Sequence, residues 1–151
     1  MSAPSAVPEV VVCDSSFVGA TAKRATHPDQ FAHWPQQTIA RIESAILAIS
    51  VITLAESRFG FASANWGPAK IAREEQRIAG FLQLPLDMSV VDEWARLKTL
   101  SKQNGWNVGD NDLWIAATAG SRRHALLTCD QDQARITDPG LEVLYLPLSA
   151  E

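Results

Sequence analysis

Short, uninterrupted apolar runs alternate along this chain with longer stretches whose apolar positions recur every three or four residues. EVVVC at 9–13 is a β-branched run without polar alternation, as in a strand buried on both faces of a parallel sheet. It ends at Asp14, with Ser15 and Ser16 placed to cap the segment beyond it. Residues 36–47 put Ile39, Ile42, Ile46 and Leu47 at helical spacing after Pro35, and a short strand is expected from about Leu47 to Ser50. VITLAESRFGFA then sets Ile52, Ala55, Phe59 and Ala62 on one helical face, with Glu56 at its edge and Gly60 as a weak point. PAKIAREEQRIAGFL reads as an amphipathic helix with Pro68 in its first turn, Ile71, Ile78 and Leu82 on its apolar face, and solvated charges.

After LPLDM, a turn or short strand, SVVDEWARLKTLSKQNG opens with Ser89 in capping-box relation to Asp92 and closes on Asn104 and Gly105. Another helix starts at Asp112 or its neighbour and runs to about Arg122. ALLTC at 125–129 is a second buried strand, and LEVLYL at 141–146 is a last one. This alternation predicts an α/β sandwich: a central, mostly parallel, short-stranded sheet flanked by helices.

At 151 residues the chain is one domain's worth, expected at 9–148 behind a short disordered lead at 1–8. Hydrophobic residues make up 46% and charged residues 20%, an ordinary globular balance. The net charge of −4 argues against a broadly basic, nucleic-acid-coating surface and leaves room for a local basic patch. LAISVITLA and its like fall short of the ~20 apolar residues that span a bilayer, and MSAPSAVPE lacks a signal peptide's basic and apolar regions. A cytoplasmic location is expected. Cys13 and Cys129 have no metal-ligand spacing and read as small core residues.

In parallel sheets, sites form beyond the carboxyl ends of the strands. VVVCD and LLTCD share one layout, an apolar strand, a cysteine and an exiting aspartate. Were the two strands neighbours in matching register, Asp14 and Asp130 would emerge side by side, with Cys13 and Cys129 together on the level below. GDNDLWIAATAG places Asp110 and Asp112 ahead of an alanine-rich, buried helix. One of its acids is expected to cap that helix, and Asp112 would point inward. Glu56 supplies a fourth carboxylate. Such a group repels itself unless a hard cation sits among it, and oxygen-only ligands favour Mg²⁺, with Mn²⁺ as a possible substitute. Phosphodiester hydrolysis by activated water is the natural reaction.

Taken together, VVVCDSSF, SVITLAE, GDNDLWIAATA and LLTCDQD resemble the PIN-domain ribonucleases, most closely the VapC toxins of bacterial toxin-antitoxin pairs. The resemblance runs from about residue 9 to 146. It implies catalytic and metal-holding roles for Asp14, Glu56, Asp112 and Asp130, with Ser15 or Ser16 at the hydroxyl-bearing position beside the first acid and Asp110 and Asp132 as accessory candidates. Ser50 reads from its own position as a local backbone hydrogen-bonder and as an accessory candidate for orienting Glu56. It also implies a Mg²⁺-dependent endoribonuclease acting on transfer, ribosomal or messenger RNA, restrained by a cognate antitoxin and assembling as a homodimer. The chain departs from the family at Cys129, where a basic residue is common, and at Gln133, where an aromatic is common. Arg58 and Arg122 are the basic residues expected nearest the acids.

Two other readings compete. An inactive PIN-like binding scaffold would keep the fold and lose the chemistry. A phosphoacceptor signalling domain also gathers aspartates at strand ends, but it needs a lysine after the last strand, where this chain has only PLSAE.

Overall fold

The computed structural model describes residues 7–150, so most of the expected N-terminal lead lies outside the described residues. Five strands, β1 (Val10–Cys13), β2 (Ile46–Ser50), β3 (Leu82–Leu84), β4 (Ala125–Thr128) and β5 (Val143–Tyr145), form one parallel sheet in the order β3-β2-β1-β4-β5. Six helices connect them: α1 (Ser15–Thr26), α2 (Gln36–Glu43), α3 (Val51–Ser63), α4 (Pro68–Ile78), α5 (Met88–Asn104) and α6 (Asp110–Gly120).

The unalternating β1 sequence follows from its central place. Val11 and Cys13 pack into a core with Phe17, Trp34, Ile39, Ile42 and Ile78, while Val12 packs on the opposite face with Leu97, Leu113 and Ala116. Helices thus cover both faces, as expected for a buried parallel strand. On the second face, Ile115 to Ala119 are fully buried, and the small side chains of Ala116, Ala117 and Ala119 let α6 lie close against its neighbours.

The register of β1 against β4 differs from the expected one. Cys13 lies opposite Leu127, which leaves Asp14 level with Thr128, and Asp130 lies two residues further out. A shift of two residues preserves which side chains face which layer, so the hydrophobic pattern does not distinguish the two registers.

Several helix boundaries also move. Asp14, not Ser15 or Ser16, is the N-cap of α1 and accepts the Phe17 amide at 3.0 Å. The expected box at Ser89 and Asp92 does not form, because α5 starts two residues earlier on Asp87, whose carboxylate accepts the Val90 amide at 3.1 Å. The strand expected from Leu47 to Ser50 forms as β2 and takes in Ile46, which the helical spacing assigns to the preceding helix, and Leu82 belongs to β3 rather than to α4. Arg77 of α4 is not a solvated charge: it donates to the Val18 carbonyl at 2.9 Å and the Thr21 hydroxyl at 2.8 Å, tying α4 to α1. At the end of α5, Gly105 takes the left-handed conformation (φ 67°) that a glycine after Asn104 anticipates.

Candidate active site

β1, β4, α3 and α6 bring four acids toward one end of the sheet. Asp14 sits at the end of β1 and is 2% exposed. Val12 and Asp14 share a strand parity, so both belong to the sheet face that α6 covers. Three donors hold the Asp14 carboxylate. Ser16 Oγ (2.6 Å) and the Phe17 amide (3.0 Å) donate to Oδ1, and the Thr128 hydroxyl donates to Oδ2 in a very short hydrogen bond.

Both hydroxyls are used twice. Ser16 Oγ accepts the Cys129 amide at 3.0 Å, and Thr128 Oγ1 accepts the Asp130 amide at 2.9 Å. Ser16 and Thr128 therefore fasten the end of β1 to the chain leaving β4. Burial pushes the Asp14 carboxyl above its ordinary value, and the hydrogen bonds from Ser16, Thr128 and Phe17 pull the other way. Asp130 turns back on its own chain, its Oδ1 accepting the Asp132 amide at 2.9 Å.

Glu56 comes from α3, the helix that Ser50 caps by accepting the Ile52 amide at 3.1 Å. Ser50 is fully buried and also takes a 3.3 Å hydrogen bond from Thr118 of α6, so its hydroxyl is committed to packing these elements. Ser15 Oγ donates to Glu56 Oε1 at 2.6 Å.

Asp112 is half-buried in the first turn of α6. Its carboxyl is pushed up to about 6, by burial first and then by the negative charges of Asp14, Glu56, Asp130 and Asp132. Neither Asp110 nor Asp112 caps the helix through its side chain, contrary to expectation: the N-cap is Gly109, and no side-chain capping bond forms. Both acids remain in the first turn, where the helix dipole favours negative charge. Asp110 points outward, its side chain 64% exposed and paired with Lys98 Nζ at 2.7 Å.

The fully buried Gln133 had no assigned role in the sequence beyond its departure from the family. Its Nε2 donates to the Asp112 carbonyl at 3.0 Å, while its Oε1 is buried without a partner. Asn107 Nδ2 reaches Asp132 at 3.3 Å. Two contacts thus clip the segment after Asp130 to the start of α6. Thr128 was equally unassigned, although its place two residues before Asp130 on a buried strand gave it the same parity as Asp14.

Among the described residues, no ion pair reaches Asp14, Glu56, Asp112 or Asp130. Arg58 pairs with Glu75 at 2.9 Å, and Arg122 binds the Pro85 carbonyl at 2.9 Å, so neither basic candidate neutralises the acids. Nor, among those residues, do three acids, histidines or cysteines stand near enough together to grip an ion directly. Asp14, Glu56 and Asp130 act on Asp112 through the field. An all-oxygen donor set without a cationic partner fits a hard cation that keeps part of its water shell.

The sequence profile of the PIN domain matches residues 11–139, and the chain belongs to that family. Its relatives are VapC ribonucleases. The chain is 35% identical to Ribonuclease VapC4 of Mycobacterium tuberculosis over 135 residues, spanning 87% of this chain and 92% of that protein. To Ribonuclease VapC5 of the same organism it is 37% identical over 92 residues, 60% of this chain and 68% of that one. Among solved structures, the VapBC-5 toxin-antitoxin structure from M. tuberculosis aligns with a TM-score of 0.65 at 27% identity, covering 91% of this chain and 99% of that one. VapBC-1 from nontypeable Haemophilus influenzae aligns at 0.70 with 22% identity, covering 92% and 98%, a likeness of fold. Among the described residues no helix is long and apolar enough to cross a membrane.

Proposed function

We propose that this chain is a Mg²⁺-dependent endoribonuclease toxin, its nuclease domain spanning residues 9–148, that cleaves cellular RNA in the cytoplasm and is neutralised by a cognate antitoxin. The observation that carries this reading is the gathering of Asp14, Glu56, Asp112 and Asp130 toward one end of the sheet with, among the described residues, no ion pair to any of them, and the raised carboxyl of half-buried Asp112 agrees with it. Relatives named ribonucleases, and neighbours solved as toxin-antitoxin complexes, support the same reading.

Asp14, Glu56, Asp112 and Asp130 would hold the cation, magnesium or in its place manganese. When bound, it supplies Lewis acidity toward a phosphodiester and lowers the pKa of water. The chain's own contribution is order. Ser16, Phe17 and Thr128 fix the Asp14 carboxylate in advance, so little reorganisation is left for the moment of reaction. Ser15 holds one oxygen of Glu56 and leaves the other to orient the attacking water. Asp130 is set by its turn, Asp132 follows it, and Asp110 faces outward in its pair with Lys98.

An uncompensated carboxylate centre also suits inhibition by a partner. An arginine or lysine of the antitoxin would take the cation's place through charge-assisted hydrogen bonds. The chain would act as a homodimer, and its substrate would be transfer, ribosomal or messenger RNA. The test is cleavage of a total RNA pool by purified protein with magnesium, with chelator, and with Asp14→Asn. Magnesium-dependent cleavage lost in the variant is expected. Equal cleavage by variant and parent would remove the proposal.

A further inference from the structure

A pocket of about 270 Å³ opens between α1, the single turn Pro28–Phe31 and the C-terminal tail, and its link to the acids is Ser16. Ser16, which donates to Asp14 at 2.6 Å, stands on its rim. Lys23 lies two helical turns further along α1, roughly 10 Å away by helix rise. Phe31 and Leu148 give it an apolar wall, and Gln30 adds an amide.

The tail forms that wall because two rings grip one carbonyl. His33 Nε2 lies 2.6 Å and Trp34 Nε1 2.8 Å from the Pro147 oxygen. The next residue, Leu148, is left 56% exposed against the pocket.

The wall made by α1 has the wrong charge for this acidic chain. Helix α1 carries Lys23 and Arg24 and no acid. Arg24 lies over the Trp34 ring at 5.6 Å, and among the described residues no ion pair involves Lys23. Gly19 lies mid-helix on the pocket lining, where glycine is disfavoured relative to alanine, yet a Cβ there would meet nothing within 4 Å.

We propose that this pocket receives one unstacked nucleotide of the RNA substrate, next to the bond to be cut. Lys23 meets its phosphate, Phe31 and Leu148 pack on the base, and the Gln30 amide, donor and acceptor at once, reads the base edge. Its size suits a single base rather than a folded partner, and sequence-specific readers of RNA take unpaired bases in this manner. This rests on the ribonuclease reading and adds to it a seat for substrate choice.

The test uses the Asp14→Asn chain in chelator and short, labelled, single-stranded RNA oligomers, read by fluorescence anisotropy across a salt series. Gly19 lines this pocket and also the groove between α1, α3 and α4, so Gly19→Leu, which favours the helix, is expected to match or exceed the parent's melting temperature and to lower RNA affinity at least tenfold, while Lys23 and Gln30, which line this pocket and not that groove, assign the loss to it. Lys23→Ala is expected to weaken binding and to reduce the slope of log affinity against log salt by about 0.7, the loss of one single-strand phosphate contact. Gln30→Ala is expected to level the preference among oligo-A, -C, -G and -U. Unchanged affinity in both Gly19→Leu and Lys23→Ala overturns the pocket, as does a parent that binds no RNA. A parent that binds through the pocket while the wild-type chain cleaves nothing overturns the ribonuclease reading alone.

Discussion

Ser15 and Glu56, 41 residues apart in sequence, are joined by a 2.6 Å hydrogen bond that links the first turn of α1 to the middle of α3. Ser16, its neighbour, faces the other way and binds Asp14 and the Cys129 amide. Two consecutive serines therefore serve two different acids.

The pair makes a contrast that mutation can read. Ser15→Ala frees a half-exposed glutamate that water can satisfy, so stability should hold. If Glu56 orients the attacking water, cleavage should fall about tenfold, or about 1.4 kcal/mol of transition-state stabilisation. Ser16→Ala removes a donor from a buried carboxylate and an acceptor from a backbone amide, and should cost about 1–3 kcal/mol of stability. Melting curves and initial cleavage rates on both variants check this. A Ser15→Ala enzyme cleaving at the parental rate would leave the serine without a role in the reaction.

Asp112 gives a pH dependence with a definite sign. Its carboxyl rises from the ordinary 3.8 to about 6 in the fold, so the folded state holds its proton more tightly than the unfolded chain. Without metal, the penalty is absent below about pH 3.8, grows through the interval and is complete above about pH 6. With solvent screening of a half-exposed group, it amounts to about 1–2 kcal/mol. Asp112→Asn should then melt about 3–6 °C above the parent at pH 7 in chelator, with no difference near pH 3.5. Magnesium should reverse the order by raising the parent, about 2.7 kcal/mol at a hundredfold excess over its dissociation constant. A parent whose melting ignores magnesium, or a variant less stable than it at neutral pH, contradicts this account of the site.

Much of this was legible in the sequence, for definable reasons. Unalternating strands announced a parallel sheet covered on both faces, and the strand-end rule drew attention to Asp14 and Asp130. The register between them was not legible, because a two-residue shift leaves every side chain on its own face. Thr128 escaped notice for the same reason: only the observed register sets it opposite Asp14. Helix starts failed where a better-placed oxygen or a glycine took the cap, as Asp87 did before Ser89 and Gly109 did before Asp110. Gln133 gave no signal beyond its departure from an aromatic, since burial of a lone amide against a carbonyl far away in sequence leaves no periodic trace.

Gln133 separates positioning from stability. Gln133→Leu deletes the bond to the Asp112 carbonyl and also the orphaned Oε1. The lost hydrogen bond and the relieved desolvation are each about 1 kcal/mol and oppose one another, so the melting temperature should move little. The start of α6 loses its tie to the segment carrying Asp130 and Asp132, and turnover should fall several-fold with substrate affinity unchanged. Steady-state kinetics beside a melting curve decide it. A variant that loses stability in proportion to activity would make Gln133 a packing residue only.

Asp110 and Asp112 stand two residues apart at the start of one helix, and the fold treats them differently. Asp110 is largely exposed and paired with Lys98, an arrangement worth no more than about 1 kcal/mol. Asp112 has no such cation and feels four other carboxylates. Asp110→Asn should therefore cleave RNA within about twofold of the parent and unfold within about 0.5 kcal/mol of it. Asp112→Asn should lose at least about a hundredfold in rate if it helps to hold the ion that activates water. The inverse outcome, activity lost at Asp110 and kept at Asp112, would mean that the outward acid swings to the centre when the cation arrives. It would then be the Lys98 pair, rather than the buried carboxylate, that stores the site in its resting form.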